Sequence, residues 1–382
     1  MHKNIYFFCF FLLLFSCKKD DEPVDISSQV EVLKIIQAEK NIQNLNSVAF
    51  CVVKDDEILW ANAIGYANRG KKITATPETR YIVASISKTI TAVAAMQLYE
   101  KGLLDLDADV NIYLPFTVKN PTYPNQKITP RMLLCHSGSI SDDWNRELNL
   151  NCFGFDYPQP LGDFLNDFFT EGRQYYSTRN YYDYSPGEKA NYSNVGFSLI
   201  GYLVERVSGQ DFDAYCKANI FIPLGMTKSE WYLKNTPQDE LAIPYSPLLT
   251  GVSQSPHFTS PYLPAANLRT TVTDLSKFLR AIIMNGSFNG YQMLKPETIQ
   301  QMKTAVNYLQ TGRFKMNYGL GMYYREIGKL NLLGHDGAMQ GVASNMMFDP
   351  NTHVGAIVIT NTTGINNTDL IVNSLIQYGN TK

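Results

Sequence analysis

A chain of 382 residues is long enough for one large domain, or two smaller ones, around a sizeable buried core. Its 45% apolar and 18% charged residues are a globular balance and exclude a disordered chain. The formal net charge of -2, with no basic block outside the extreme N-terminus, gives no electrostatic ground for a nucleic-acid partner.

Residues 1–16 read as an export signal: Lys3 supplies positive charge, and Ile5 to Phe15 form an apolar stretch too short to span a bilayer comfortably. The stretch ends in Leu14-Phe15-Ser16-Cys17, which resembles a bacterial lipobox, where cleavage precedes the cysteine and the thiol is acylated. An ordinary signal peptide that happens to contain Cys17 is the alternative. Residues 17–28, opening Lys18-Lys19-Asp20-Asp21-Glu22, then form the lipidated cysteine and its polar linker. Each buried lipid CH₂ contributes roughly 0.8 kcal/mol, which anchors a multiply acylated protein without a spanning helix. The expected location is therefore a bacterial membrane, most simply the outer one, facing the periplasm or the surface. Cys51, Cys135, Cys152 and Cys216 remain, without metal-ligand spacing; three disulfide pairings are open to them, and free thiols are the simpler expectation.

Ser28 to Ile42 carries helical spacing. Val48–Val53 and Ile58–Tyr66 read as strands around the charged turn Lys54-Asp55-Asp56-Glu57. Ile86 to Leu103 is apolar almost all round, the profile of a buried helix. From about residue 120 the texture changes to loops rich in proline and tyrosine, interrupted by a helix over Asn194–Val207 that closes at Ser208-Gly209. Leu275–Met284 reads as another helix. Gly319–Glu326, Leu330–Leu333, Val342–Asp349 and Val354–Asn361 are strand-like, and Asp369–Tyr378 is a final apolar helix. These elements imply one domain over residues 29–380. Its fold class is α+β, with an antiparallel sheet of five or slightly more strands flanked by helices. A mainly helical lobe is inserted at about 115–270.

Three segments carry chemistry. In Ser85-Ile86-Ser87-Lys88, serine and lysine share one face of a helical turn. Serine needs a base to become a nucleophile, and a lysine with a depressed pKa can be one. The plainer reading, a helix-capping serine and a solvated lysine, conflicts with the apolar surroundings of Lys88, where an unpartnered charge is costly. In Tyr192-Ser193-Asn194, Tyr192 can share proton traffic with Lys88. Asn194 can donate its amide to a substrate carbonyl or to Lys88, or simply cap the following helix. In His335-Asp336-Gly337-Ala338, glycine permits close approach of a ligand to backbone. The N–H of Ala338 can pair with that of Ser85 as an oxyanion hole. The plainer alternative is a hairpin turn at Asp336-Gly337. His136, His257 and His353 share no ligand spacing and read as structural or surface residues. The absence of His-Glu-x-x-His and Gly-rich phosphate motifs leaves no implied metal or nucleotide cofactor. The tyrosine-rich stretch around Phe153, Tyr175, Tyr176, Tyr181, Tyr182 and Tyr184 reads as loop packing before it reads as a cleft wall. Asp142, Asp143 and Trp144 follow the Ser137-Gly138 loop and are candidates for ligand contact that no sequence signal establishes.

Taken in order, Ser85-x-x-Lys88, Tyr192-Ser193-Asn194 and His335-x-Gly337 resemble the serine β-lactamase-like family, which includes class C β-lactamases, D-Ala-D-Ala carboxypeptidases, esterases and peptidases. Ile128–Gly138, Tyr192–Gly209, Pro223–Met226 and Pro264–Phe278 follow the same family's patterns, over about residues 29–378. The resemblance implies an α/β sandwich with an all-α lobe and a site between them. It implies Ser85 as acyl-accepting nucleophile, Lys88 as its activating partner and Tyr192 as companion general base and acid. Asn194 would orient substrate, and the Ser85 and Ala338 N–H groups would hold the oxyanion. His335 stands where class C β-lactamases carry lysine, and a neutral histidine suits a substrate carboxylate poorly. The expected substrate is a small molecule or peptide with an ester, amide or peptide bond, including a D-amino-acid or muropeptide terminus. A true β-lactamase, a penicillin-binding sensor without turnover and a surface protein with a vestigial pocket are the alternatives.

Overall fold

The computed structural model describes residues 26–142, 150–248, 251–311, 314–363 and 368–382. The expected signal segment, Cys17 and the linker up to residue 25 lie outside the described residues, as do Asp143 and Trp144.

The chain opens with helix α1, Gln29–Ile42, whose N-terminus is capped by the Ser28 hydroxyl accepting from the Val30 N–H. Strands β1 (Ser47–Lys54) and β2 (Glu57–Asn68) follow as an antiparallel pair, with β3 (Ile73–Thr74) at the sheet edge. Helix α2, Ser87–Glu100, runs through the middle of the molecule, and every residue from Ser87 to Leu98 is buried. That explains its unpatterned apolar sequence: with no solvent face it has no reason to alternate. Its polar side chains are bonded internally, Thr89 to the Gly321 carbonyl at 3.0 Å and Thr91 to the Pro264 carbonyl at 2.6 Å.

The inserted region holds α3 (Pro130–Leu134), α4 (Leu161–Phe169) and α5 (Asn194–Ser208), the last ended by Gly209 in the left-handed conformation. Helix α6, Val272–Ile283, brings the chain back to the sheet. Six strands then complete it: β4 (Asn307–Thr311), β5 (Phe314–Tyr318), β6 (Tyr323–Ile327), β7 (Leu330–Met339), β8 (Val342–Phe348) and β9 (Val354–Thr360). Helix α7, Asp369–Asn380, packs across it.

The sheet is antiparallel with order β4-β5-β6-β7-β8-β9-β1-β2-β3, nine strands among the described residues. It is larger than five because β4 and β5 extend one edge and β3 the other. Central strand β1 is buried on both faces, and its alternation sorts its residues into two layers. Val48, Phe50 and Val52 pack with Val32, Ile371 and Leu375 beneath the terminal helices. Ala49, Cys51 and Val53 face the core that contains α2 and α6. Full burial of such a side chain is worth roughly 1.5–3 kcal/mol, which holds the sheet between the layers. The four described cysteines are all free, with Cys51, Cys135 and Cys216 buried.

One contact sets how closely the sheet approaches α2. Gly321 adopts φ +78°, and a Cβ there would lie 2.3 Å from the Ala92 Cβ. Gly321→Ala therefore combines left-handed strain with overpacking and is expected to destabilise the fold by about 2–4 kcal/mol. Urea unfolding followed by circular dichroism measures this, and adding Ala92→Gly is expected to recover the overpacking part. An unchanged midpoint in the single variant would refute this account.

Candidate active site

Ser85 sits in a single 3-10 turn, Ala84–Ile86, that passes directly into α2. Ala84 takes φ 49°, a conformation that side chains disfavour. Such strain persists only where neighbouring structure over-determines it. Here the Ser344 hydroxyl of β8 donates to the Val83 carbonyl at 2.8 Å, tying the turn to the sheet.

Lys88 lies one turn on from Ser85 and is wholly buried. Its Nζ donates to Ser85 Oγ at 3.2 Å, to Asn194 Oδ1 at 2.7 Å and to the Ala265 carbonyl at 2.9 Å. The Tyr192 ring centroid is 4.7 Å from the same Nζ. Helix α2, the start of α5 and the segment before α6 therefore converge on one cationic head group. Asn194 is expected to donate its amide to a substrate carbonyl or to Lys88, or to cap the helix. Toward Lys88 its side-chain oxygen accepts instead, as a donor-only ammonium requires, and the residue also lines the cavity beside Ser85.

The cap of α5 is Ser193, whose Oγ accepts from the Gly196 N–H at 2.9 Å. Ser193 in turn donates to Asp142 Oδ1 at 2.7 Å, and the same carboxylate accepts the N–H groups of Asn194 at 2.6 Å and Val195 at 3.2 Å. A carboxylate at a helix N-terminus is favoured by the exposed N–H groups and the dipole. Burial pushes the Asp142 pKa up, and these hydrogen bonds oppose it. His136 braces the motif from the other side. Its Nδ1 accepts from the Ser193 N–H at 3.1 Å, its carbonyl accepts from the Asn191 N–H at 2.8 Å, and its ring lies 4.3 Å from that of Tyr192. Burial, then Lys88 and His335, drives its pKa well below 6.5, keeping it neutral.

The third segment lies inside β7 rather than in a hairpin turn; the chain reverses only after Met339. Strand β6 pairs with β7 up to Gly334, leaving His335–Met339 without a partner on that side among the described residues. The Ala343 N–H donates to Thr360 Oγ1, toward β9, so the Ala338–Ala343 pair is a non-hydrogen-bonded pair of the ladder. The Ala338 N–H consequently points to the open edge. The Asp336 N–H, two residues back, does the same and reaches Tyr323 Oη at 3.2 Å. A Cβ on Gly337 would lie 2.4 Å from the Val83 carbonyl and 2.9 Å from the Ser85 nitrogen. Glycine is what lets this edge lie against the Ser85 turn.

His335 is buried, with Nδ1 2.6 Å from the Asp336 carbonyl and Nε2 2.7 Å from the Tyr318 hydroxyl. A carbonyl only accepts, which places the proton on Nδ1 and makes Nε2 the acceptor of the Tyr318 O–H. Burial is the main cause that pushes the His335 pKa down to about 4, so the ring is neutral at pH 7.

Ser85, Tyr192, Asn194 and His335 line a cavity of about 460 Å³ that also reaches Gly337 and Ala338. Its aromatic walls are Phe258, Tyr262 and Tyr323, not the tyrosine-rich stretch, none of whose six named members lines it. The five tyrosines are buried or half-buried within the inserted region, as with Tyr175, whose hydroxyl is 3.2 Å from that of Tyr157, while Phe153 is exposed. Arg325 also reaches the cavity, but the Asp369 carboxylate holds it by two bonds of 2.8 and 3.0 Å. No group of three or more His, Cys, Asp or Glu residues able to hold a metal ion occurs among the described residues.

Asp142, expected as a candidate for ligand contact, instead braces the start of α5 and does not line the cavity. His136, expected as a structural or surface residue, is buried and structural, and it lay within the quoted Ile128–Gly138 segment. Tyr318 and Tyr323 received no role from the sequence, where they carry no local mark.

Comparison with known proteins places these features in context. The family model described as Beta-lactamase matches residues 33–378. Protein flp of Staphylococcus aureus (strain N315) is 25% identical over 340 residues, covering 87% of this chain and 63% of that protein. The chain thus spans less than two thirds of that relative's length. The octameric penicillin-binding protein homologue from Pyrococcus abyssi superposes with a TM-score of 0.72 at 24% identity, covering 90% of this chain and 76% of that one. The D-amino acid amidase from Ochrobactrum anthropi SV3, complexed with L-phenylalanine amide, gives 0.75 at 20% identity, covering 92% and 97%. At these identities the two structures establish the shared fold.

Asp142→Ala removes the acceptor for two helical N–H groups and the Ser193 hydroxyl. It is expected to cost about 2–4 kcal/mol in urea unfolding and to move Asn194 away from Lys88. His335 makes a pH prediction. Its folded pKa, about 4, lies below the ordinary 6.5, so its contribution to stability is complete above pH 6.5 and is lost as pH falls toward 4. The loss is of order 3 kcal/mol across that window. Thermal melts from pH 8 to 4 should show it, with a shallower decline in His335→Asn; parallel declines would contradict it.

Proposed function

The chain belongs to the beta-lactamase family, and from that premise we propose that it is a serine hydrolase acting through an acyl-enzyme on an ester, amide or peptide bond. The observation that carries this reading is the 3.2 Å contact between Lys88 Nζ and Ser85 Oγ at the wall of a cavity bordered by the Ala338 N–H edge. Ser85 Oγ attacks the substrate carbonyl carbon as its proton passes to Tyr192, acting as a phenolate beside the Lys88 ammonium. The Ser85 and Ala338 N–H groups hold the resulting oxyanion. Collapse of the tetrahedral intermediate expels the leaving group with the transferred proton. Water then attacks the Ser85 ester by the same route, releasing the acid and restoring the serine.

Three hydrogen bonds to Lys88 keep its head group beside Ser85 without a further conformational search, which is the entropic part of such catalysis. The charge around the cavity favours neutral or amine-bearing esters and amides over antibiotics. A β-lactam carries a carboxylate; His335 is neutral, and Arg325 is already paired with Asp369. The D-amino acid amidase among the structural neighbours supports amides of amino acids as substrates. We place this activity on an exported lipoprotein acylated at Cys17 and held at a bacterial membrane, a reading that rests on residues 1–17.

Ser85→Ala is expected to abolish p-nitrophenyl ester hydrolysis and labelling by a fluorophosphonate probe while leaving the thermal melt unchanged. Turnover at the wild-type rate in that variant would overturn the assignment. Mass spectrometry should find the probe on the peptide containing Ser85.

A further inference from the structure

The cavity has an electrostatic end that the acyl-transfer chemistry does not use. Asp336 lines it, and its side chain is 44% exposed. The Tyr323 hydroxyl donates to Asp336 Oδ1 and accepts from the Asp336 N–H at 3.2 Å. This double contact holds the carboxylate in one orientation. Burial raises the Tyr323 pKa far above its ordinary value, so its hydroxyl stays protonated and able to donate.

The nearest positive charge does not neutralise Asp336. Arg325 Nη2 is 3.9 Å from Asp336 Oδ2 but 2.8 Å from Asp369 Oδ1. One guanidinium therefore stands against two carboxylates, and this wall of the cavity is left negative. His335, the adjacent residue on β7, contributes no compensating charge. Tyr262, Tyr323 and Phe258 line the same cavity, and aromatic rings attract a cation through their quadrupole.

We propose that Asp336 is the recognition site for an ammonium group on the substrate, so that the enzyme prefers acyl groups bearing a free primary amine close to the reacting carbonyl. This rests on the serine hydrolase reading above and names its substrate class: amides, esters or short peptides of amino acids with an unblocked amine. The spacing fits. Asp336 lies two residues before Ala338, a rise of roughly 6–7 Å along a strand. An α-amino acyl group spans about that distance from carbonyl oxygen to amine once a hydrogen bond of roughly 2.9 Å is added. A substrate carboxylate in the same place would meet Asp336 as a like charge.

The test uses the full-length chain in detergent and alanine p-nitroanilides of both configurations. Three forms of each are compared: free amine, N-acetyl (neutral) and N-succinyl (anionic). In the wild type, kcat/KM for the free amine should exceed that of the N-acetyl compound at least tenfold, with the N-succinyl compound lowest. Asp336→Asn should collapse the first ratio toward one, and Asp336→Lys should make the N-succinyl compound the best of the three. Because each ratio is taken within one preparation, a general loss of activity does not mimic the effect. Tyr323→Phe, which releases the carboxylate from its fixed orientation, should reduce the ratio partway and serves if the Asp336 variants fold poorly. A wild-type ratio near one, or a ratio that Asp336→Asn leaves intact, overturns the proposal while fluorophosphonate labelling of Ser85 leaves the hydrolase reading standing. Absence of both labelling and p-nitrophenyl acetate hydrolysis overturns the hydrolase reading itself, and this proposal with it.

Discussion

A lysine head group sealed from water must find its acceptors inside the protein, and Lys88 gathers three separate segments to supply them. The Ser85 turn, the first residue of α5 and the carbonyl of Ala265 all lie within 3.2 Å of one nitrogen. A buried charged group without such partners costs several kcal/mol, which penalises any arrangement that leaves the three segments apart. In the proposed mechanism the same contacts bring the nucleophile next to its activating group. On that reading stability and catalysis place the same demand on this position, and neither is met without the inserted region docking on α2.

The sheet makes the complementary contribution by leaving one edge of β7 open along part of its length. Strand β6 stops pairing at Gly334, and from His335 onward that edge faces the cavity while the other stays paired with β8. An open edge of this kind invites unwanted pairing in most proteins. Here it is sheltered inside a cavity, and the Gly337 approach to Val83 and Ser85 aligns its N–H groups with the nucleophile. The strained φ of Ala84 belongs to the same arrangement, held by the bond from Ser344 on the neighbouring strand.

Much of this was legible before any coordinates, and the boundary of legibility has a physical origin. Helices α1, α2 and α5, with strands β1, β2, β8 and β9, announce themselves through local periodicity or unbroken apolarity, because their burial is decided by neighbours in sequence. Strands β4 and β5 escaped notice although Phe314-Lys315-Met316-Asn317-Tyr318 alternates apolar and polar residues, because Asn307–Thr311 beside it does not and each run is only five residues long. Leu330–Leu333 was read as a short strand, yet β7 runs on to Met339: the Gly-His-Asp-Gly run looks like a turn until Gly337 is seen packed on Ser85. Lys88 was legible as needing a partner because a charge in an apolar helix is a local contradiction. The identity of its partner was not settled, since only the fold shows Asn194 accepting rather than donating. The roles of Asp142 and His136 depend on contacts more than fifty residues away in sequence. No window on the chain contains both ends of such a bond.

The last element is how charge is disposed around a cavity that must admit substrate. His335 is held neutral with Nε2 turned to Tyr318, so the position contributes shape and a fixed tautomer in place of a cation. Arg325 is bound on both arms by Asp369 at the N-terminus of α7, where a carboxylate is also favoured by the helix dipole. That pairing anchors the C-terminal helix to β6 and, in the same stroke, engages the guanidinium with Asp369 where it borders the cavity. Lys88 is turned toward Ser85, Asn194 and Ala265. The ionic group left facing the substrate along β7 is thus the Asp336 carboxylate, oriented by a tyrosine that both donates to it and accepts from its backbone. The proposed discrimination by charge rests on this arrangement, because rearranging Asp336 would require breaking the Tyr323 contacts, and drawing Arg325 fully onto it would require taking the guanidinium from α7.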